Sequence, residues 1–222
     1  MKFIDDKNKT VRWYNRNYFY AGTILLILVN VILFWQLGNG WCFKLYDANA
    51  NWGDFRFINF LNIAFTSLSH SSWEHVLGNI INLLVVGLYL ERKYGTFNFL
   101  FLNVLLIFTV GALASHVFGN VNHHGYSGVN WALYGIIITD YIFSFKKERR
   151  NLTNIILGAV VLVYIYLFSM CYGGNAFIDV TYYPANLIHN MGHWSALFWG
   201  LLFGLFYQLN ITYFINAKKK KE

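Results

Sequence analysis

Three short clusters hold most of the side chains in this chain that could do chemistry. The first is His70-Ser-Ser-Trp-Glu-His75-Val-Leu-Gly-Asn79. The second is Gly125-Tyr126-Ser127-Gly128. The third is Asn190-Met191-Gly192-His193, followed by small residues at Ala196, Gly200 and Gly204. A serine hydroxyl within reach of an imidazole is a nucleophile with a base to take its proton. A serine at a helix start also has a backbone N–H without a helical partner and the positive end of the helix dipole beside it. Both would favour a negative oxygen on a substrate carbonyl. His75 and Asn79 are four residues apart; they share a helix face and could donate to the same oxyanion. Gly125 and Gly128 flank the serine and permit backbone angles and close approach that other residues resist. The third cluster has no carboxylate to orient His193, so a serine hydrolase built from these residues is a dyad. His123 and His124 adjoin the second cluster, but a metal site needs three or four ligands. Neither a metal nor an organic cofactor is expected.

Each of these residues also has a plainer reading. Ser127 can be an N-cap, His193 a packed, hydrogen-bonded histidine, and Asn79 a polar contact between helices. Ser71-Ser72-Trp73-Glu74 has the S-x-x-E form of a capping box, which is the preferred reading of Glu74. Glu91, followed by Arg92 and Lys93, reads as a structural salt bridge. Asp140 lies 13 residues after Ser127, about 20 Å along a helix, too far to join it. The small residues 192, 196, 200 and 204 repeat every four positions and let one helix approach another closely. If that neighbour carries Ser127, the stripe brings His193 toward it.

The elements that must position these residues are set by composition. Of 222 residues 57% are apolar and 12% charged, with mean hydropathy +0.40. Soluble domains carry about a quarter charged residues, so soluble, disordered, collagenous and disulfide-scaffold classes are excluded. An all-α membrane protein is expected. Six stretches, roughly 18–37, 75–90, 97–118, 128–145, 152–172 and 190–209, are candidates to cross about 30 Å of hydrocarbon. The second is short and must gain length at its ends. Residues 55–68 are interrupted by Arg56, Asn59 and Asn62 and read as an interfacial or re-entrant helix. They belong to a long first outer loop, 38–72.

Net charge is +7, but the basic residues stand in short runs between apolar stretches, which reads as topology and not as nucleic-acid binding. Lys2, Lys7, Lys9, Arg12 and Arg16, then Arg92 and Lys93, then Lys146, Lys147, Arg149 and Arg150, then Lys218 to Lys221 all fall on one side. Only Lys44 and Arg56 fall on the other. By the positive-inside rule both termini are cytoplasmic. The expected organisation is a cytoplasmic segment 1–17, a six-span core 18–210 and a basic tail 211–222, multi-pass in a plasma membrane. Spans two, four and six then start on the outer side, and the three clusters share one depth. Cys42 and Cys171 lack a CxxC spacing and read as two thiols, with a bridge as the alternative.

The three clusters, in this order and on these spans, resemble the rhomboid family of intramembrane serine proteases: H-x4-H-x3-N, then G-x-S-G, then a histidine followed by small residues. The resemblance covers about 55–209. It implies a six-transmembrane-helix rhomboid-like bundle with a long membrane-associated first outer loop, acting on transmembrane protein substrates in the lipid bilayer. It implies Ser127 as nucleophile and His193 as general base. The Ser127 amide, His75 and Asn79 form the oxyanion hole. His70 supports the first loop, and Glu91 and Lys93 match an acidic-x-basic pair at the inner end of span two. The loop 173–189 caps the site, and span five flanks substrate access. Two departures stand out: Asn62 lies about where a Trp-Arg pair would place its arginine, and Ala196 replaces a usual glycine. The alternative is a non-catalytic relative that binds transmembrane clients; the presence of serine, base and both oxyanion side chains speaks against it. A transporter or proton relay would spread polar residues through the depth of the bundle, whereas these gather at one level.

Overall fold

The computed structural model describes residues 20–38, 65–118, 125–147, 152–172 and 184–219. Among them the chain is all-helical. Six helices run in order: α1 Ala21–Leu37, α2 Trp73–Tyr94, α3 Thr96–Phe118, α4 Ser127–Lys147, α5 Leu152–Tyr172 and α6 Pro184–Lys219. They match the six expected spans one for one. Residues 39–64, which hold most of the first outer loop and of the stretch 55–68 read as an interfacial helix, the basic N-terminal segment, His123, His124, Cys42 and the capping loop up to 183 lie outside the described residues, as does the Cys171 side chain.

Span two gains its length as expected. The helix runs 22 residues, about 33 Å at 1.5 Å per residue. Among the described residues it is the one helix long and apolar enough to cross a membrane by length and composition alone. Helix α6 departs from expectation. It starts six residues before the expected boundary at 190 and runs on to Lys219, 36 residues in all. Pro184 at its first position suits a helix start, where no N–H is needed. His193 therefore lies well inside α6 and not in its first turn, and the helix continues past 210 into the basic tail.

The bundle is apolar outside as well as inside. Ile24, Leu25, Leu28 and Ile32 on α1, Phe97, Phe101 and Val104 on α3, and Ile156, Val160 and Val163 on α5 are all exposed. Water would penalise such a surface, whereas lipid tails do not. Polar residues within the helices discharge locally: Asn30, Asn103, Thr109 and Thr139 each donate to the carbonyl four residues back. The side-chain donors at those points are thus met within their own helix and ask nothing of lipid; Asn30 Oδ1 stays buried without a partner among the described residues.

Helices α4 and α6 make the most extensive contact in the bundle. Small residues allow it. A methyl group on Gly200 would overlap the Ala132 backbone carbonyl, and one on Gly135 would overlap the Leu197 carbonyl. On Gly204 it would stand 3.2 Å from the Ile136 Cα. Ala196 is fully buried in the same stripe. The neighbour of the small-residue stripe is thus the helix that opens with Ser127.

Candidate active site

Close packing of α4 on α6 brings the second and third clusters together. The Ser127 hydroxyl and His193 Nε2 are 2.9 Å apart. Both side chains are half-buried. Ser127 is the first residue of α4, so its own N–H has no partner within that helix. The His193 ring lies flat on Trp131, with centroids 5.2 Å apart and planes within 11°. Trp131 is itself buried and sets the plane in which the imidazole can lie.

The turn before Ser127 is held from three sides. Gly125 has φ +109°, a conformation that favours glycine. Its N–H donates to the Thr66 carbonyl at 3.0 Å. The Tyr126 N–H donates to His70 Nε2 at 3.4 Å, and the Tyr126 hydroxyl donates to Asn103 Oδ1 on α3 at 2.7 Å. Tyr126, His70 and Asn103 are all fully buried. Gly128, one position into α4, faces α3; a methyl there would stand 2.9 Å from Val110 Cγ1.

The first cluster packs against this turn. A methyl on Gly125 would stand 2.6 Å from His75 Nε2 and 3.5 Å from Asn79 Nδ2. The polar ends of both side chains therefore converge on the turn that delivers Ser127. His75 lies edge-on to His70 at 5.1 Å between centroids. Asn79 Nδ2 donates to the His75 carbonyl at 3.0 Å. Its Oδ1 and its backbone carbonyl both accept from Asn130 Nδ2, at 3.3 and 3.2 Å. Asn79 thus joins α2 to α4 and presents its amide to the turn at once; its two readings are not exclusive.

The capping box shifts by one residue. Ser72, not Ser71, is the N-cap of α2, and its Oγ accepts from the His75 N–H at 3.2 Å. The residue three positions beyond the cap is then His75 in place of Glu74. The Ser71 hydroxyl is 3.1 Å from His75 Nδ1 instead. Either serine can cap a helix but only Ser71 fits S-x-x-E, and the extended backbone at Ser72 decides for Ser72.

Glu91 and Lys93 lie at the far end of α2, away from Ser127, and do not form the local salt bridge expected with their neighbours. Glu91 is buried and accepts from the Gly22 N–H at 2.9 Å, the Thr23 N–H at 2.8 Å, the Thr23 hydroxyl at 2.7 Å and the Thr96 hydroxyl at 2.6 Å. It caps the start of α1, which has no side-chain cap of its own. Lys93 pairs with Asp140 at 2.6 Å. Asp140 also accepts from Tyr94 at 3.3 Å and Gln208 at 2.9 Å. As expected, Asp140 takes no part in the Ser127 cluster.

Sequence reasoning does not single out Trp131, Asn130 or Asn103, and it reads Ser71 as a helix cap and not as a partner of the His75 ring. Trp131 lies four residues after Ser127, the spacing that puts two side chains on one helix face, and that signal was available. Asn130 and Asn103 act across elements, and spacing alone carries no sign of them.

A six-helix bundle, apolar toward its surroundings, that holds a serine and a histidine between its two closest helices belongs to the polytopic helical membrane proteins with a polar site inside the bundle. The Rhomboid domain family matches residues 56–210, and the chain belongs to the rhomboid family. That family consists generally of intramembrane serine proteases, membrane-embedded and acting on transmembrane substrates within the bilayer. No curated protein and no solved structure matches the chain.

Proposed function

We propose that this protein is an intramembrane serine endopeptidase that cleaves transmembrane substrates with a Ser127–His193 dyad. The observation that carries the reading is the 2.9 Å separation of the Ser127 hydroxyl and His193 Nε2, within hydrogen-bond reach for a base and its nucleophile. Ser127 Oγ attacks the scissile carbonyl carbon while His193 Nε2 takes its proton. The carbonyl oxygen becomes an oxyanion, met by the Ser127 N–H, His75 Nε2–H and Asn79 Nδ2–H. His193 returns the proton to the leaving amine, and the C–N bond breaks. The acyl-enzyme is then opened by a water whose proton passes to His193 and on to Ser127 Oγ. A helical peptide bond is shielded by its own backbone, so an unwound stretch of the substrate fits best. Trp131 keeps the imidazole in the plane these transfers need.

The basic runs support both termini on the cytoplasmic side of a plasma membrane. Ser127 then opens α4 near the outer face, and cleavage falls there. His70 serves as support through its contact with the Tyr126 N–H, and Gly125, Gly128 and Gly200 as the close approaches that set the geometry.

The test is cleavage of a model transmembrane substrate by the purified protein, by Ser127→Ala and by His193→Ala, with fluorophosphonate labelling of each. The expected result is product and label with the natural protein alone. Product from all three would overturn the dyad. Neither product nor label from the natural protein would overturn the enzyme reading in favour of a client-binding relative.

A further inference from the structure

We infer that Ser71 is a positioning residue for His75, holding the imidazole by its Nδ1 edge so that Nε2 faces the developing oxyanion beside Ser127. The inference rests on the proposed oxyanion role of His75. It goes beyond that role by naming the group that orients the donor.

The ring has two distinct edges in this structure. Nε2 lies against the Gly125 turn, where a methyl on that glycine would stand 2.6 Å from it. Nδ1 lies 3.1 Å from the Ser71 hydroxyl. A neutral imidazole carries one proton, so donation from Nε2 requires Nδ1 to act as an acceptor. A backbone carbonyl beside Nδ1 would demand the proton there and turn Nε2 into an acceptor, the wrong polarity for an oxyanion. A hydroxyl can donate, and it satisfies Nδ1 in the tautomer the reaction needs. When negative charge grows beside Nε2, that tautomer is favoured further and the Ser71 O–H rotates to match it.

Ser71 has this freedom because it is not the helix cap. Ser72 takes that duty, accepting from the His75 N–H. The two serines thus divide two tasks on one residue: Ser72 fixes the His75 backbone and Ser71 fixes its ring. The edge-on contact with His70 at 5.1 Å limits tilt of the ring but supplies no polarity. Removing Ser71 therefore leaves fold and cap in place and loosens one donor.

The experiment has two readouts, one independent of activity. The first is the ring nitrogen resonances of His75 in protein carrying nitrogen-15 histidine, assigned by loss of signal in His75→Ala. The expected state is a proton on Nε2 in the natural protein, and a mixture of tautomers or a broadened signal in Ser71→Ala. A proton held on Nδ1 in the natural protein, or an unchanged His75 signal in Ser71→Ala, would overturn the inference even if no substrate were ever cleaved. The second readout is kinetic. Loss of a whole oxyanion donor costs about 10²–10³ in kcat, so loss of its support should cost about fivefold to tenfold. That loss should fall on kcat with KM nearly constant, be restored by Ser71→Thr, and vanish when Ser71→Ala is added to His75→Ala. An undiminished effect of Ser71→Ala in the His75→Ala background would assign Ser71 a purely structural part. Fluorophosphonate labelling of the natural protein separates failure of this inference from failure of the dyad itself.

Discussion

Helix α4 carries a serine in contact with a histidine at its first residue and a buried carboxylate about two turns before its far end, and the bundle treats them in opposite ways. Asp140 is fully buried and surrounded by donors from α2 and α6: Lys93, Tyr94 and Gln208. Glu91, at the same end of α2, accepts from four donors and closes the start of α1. Ser127 is half-buried, touches His193, and follows the Gly125 turn on which His75 and Asn79 converge. A buried charge is tolerable only when paired and hydrogen-bonded, and saturation of that kind leaves nothing to offer a substrate. A nucleophile needs the reverse: fixed neighbours, with an oxygen that an incoming group can still reach. Polar residues in a membrane bundle are therefore of two sorts, and the number of donors they already satisfy sorts them better than their depth.

Substitutions that remove the reacting atoms should separate the two ends most sharply. Ser127→Ala and His193→Ala should each lower kcat/KM by about 10³-fold or more, while thermal unfolding in detergent stays close to that of the natural protein. A large fall in stability with either variant would place Ser127 with Asp140, as a structural group.

The next largest effect tests the contact that joins the ends. A methyl on Gly200 overlaps the Ala132 carbonyl, so Gly200→Ala must push α6 away from α4. Misplacement by about 1 Å can cost about 10²-fold in rate, and overpacking costs about 1–3 kcal/mol. Activity and melting temperature should fall together. Loss of stability alone would mean that the Ser127–His193 contact survives separation of the helices.

The contrast was only half legible in the sequence. Residue types and spacing showed the Ser127 end, because G-x-S-G, H-x4-H-x3-N and the four-residue stripe are local patterns. The stripe also signals a close helix contact for α6 but leaves the neighbour open, and the structure supplies α4. At the other end the distance of Asp140 from Ser127 is legible, but the partners of Glu91 and Lys93 are not. Glu91 was assigned to its sequence neighbours, yet its partners Gly22 and Thr23 lie about 70 residues away, and no local pattern encodes that. The same limit hides Asn130, whose partner Asn79 lies on another helix; Ser71 is local to His75, but its place at the ring depends on which of two adjacent serines caps α2. The start of α6 was missed because residues 184–189 lack a long apolar run, although Pro184 is a start signal in its own right.

Loss of a saturated carboxylate should produce the converse of the Ser127 result. Glu91→Ala removes the acceptor of two N–H groups and two hydroxyls at once. Stranding buried donors costs about 1–3 kcal/mol for each group left unsatisfied; allowing for relaxation of α1, a total loss of about 2–4 kcal/mol is expected. Measured by denaturation in detergent, stability should fall by that amount, while kcat per folded molecule stays within about twofold. A large loss of kcat at full occupancy of the folded state would show that the α1 junction reaches the Ser127 site and would dissolve the division between the ends.

The smallest effect is expected where the two sorts of polar residue meet. Asn130 is fully buried one turn below Ser127, and its Nδ2 donates to both the Asn79 carbonyl and the Asn79 Oδ1. By burial it resembles Asp140; by partner it belongs to the site. The backbone carbonyl can only accept, which fixes the Asn130 amide, and that in turn holds Asn79 with Oδ1 toward α4 and Nδ2 toward Gly125. Asn130→Leu keeps the volume and removes the donor. If the contact serves mainly to orient Asn79, kcat should fall about threefold to fivefold with KM nearly constant, alongside about 1 kcal/mol of lost stability. Asn130→Asp should be worse, because it sets a second acceptor against Asn79 Oδ1 and favours a flipped amide that turns an oxygen toward the oxyanion. Equal kcat for the Leu and Asp variants, with stability alone reduced, would move Asn130 to the structural side and leave His75 and the Ser127 N–H as the donors whose orientation matters.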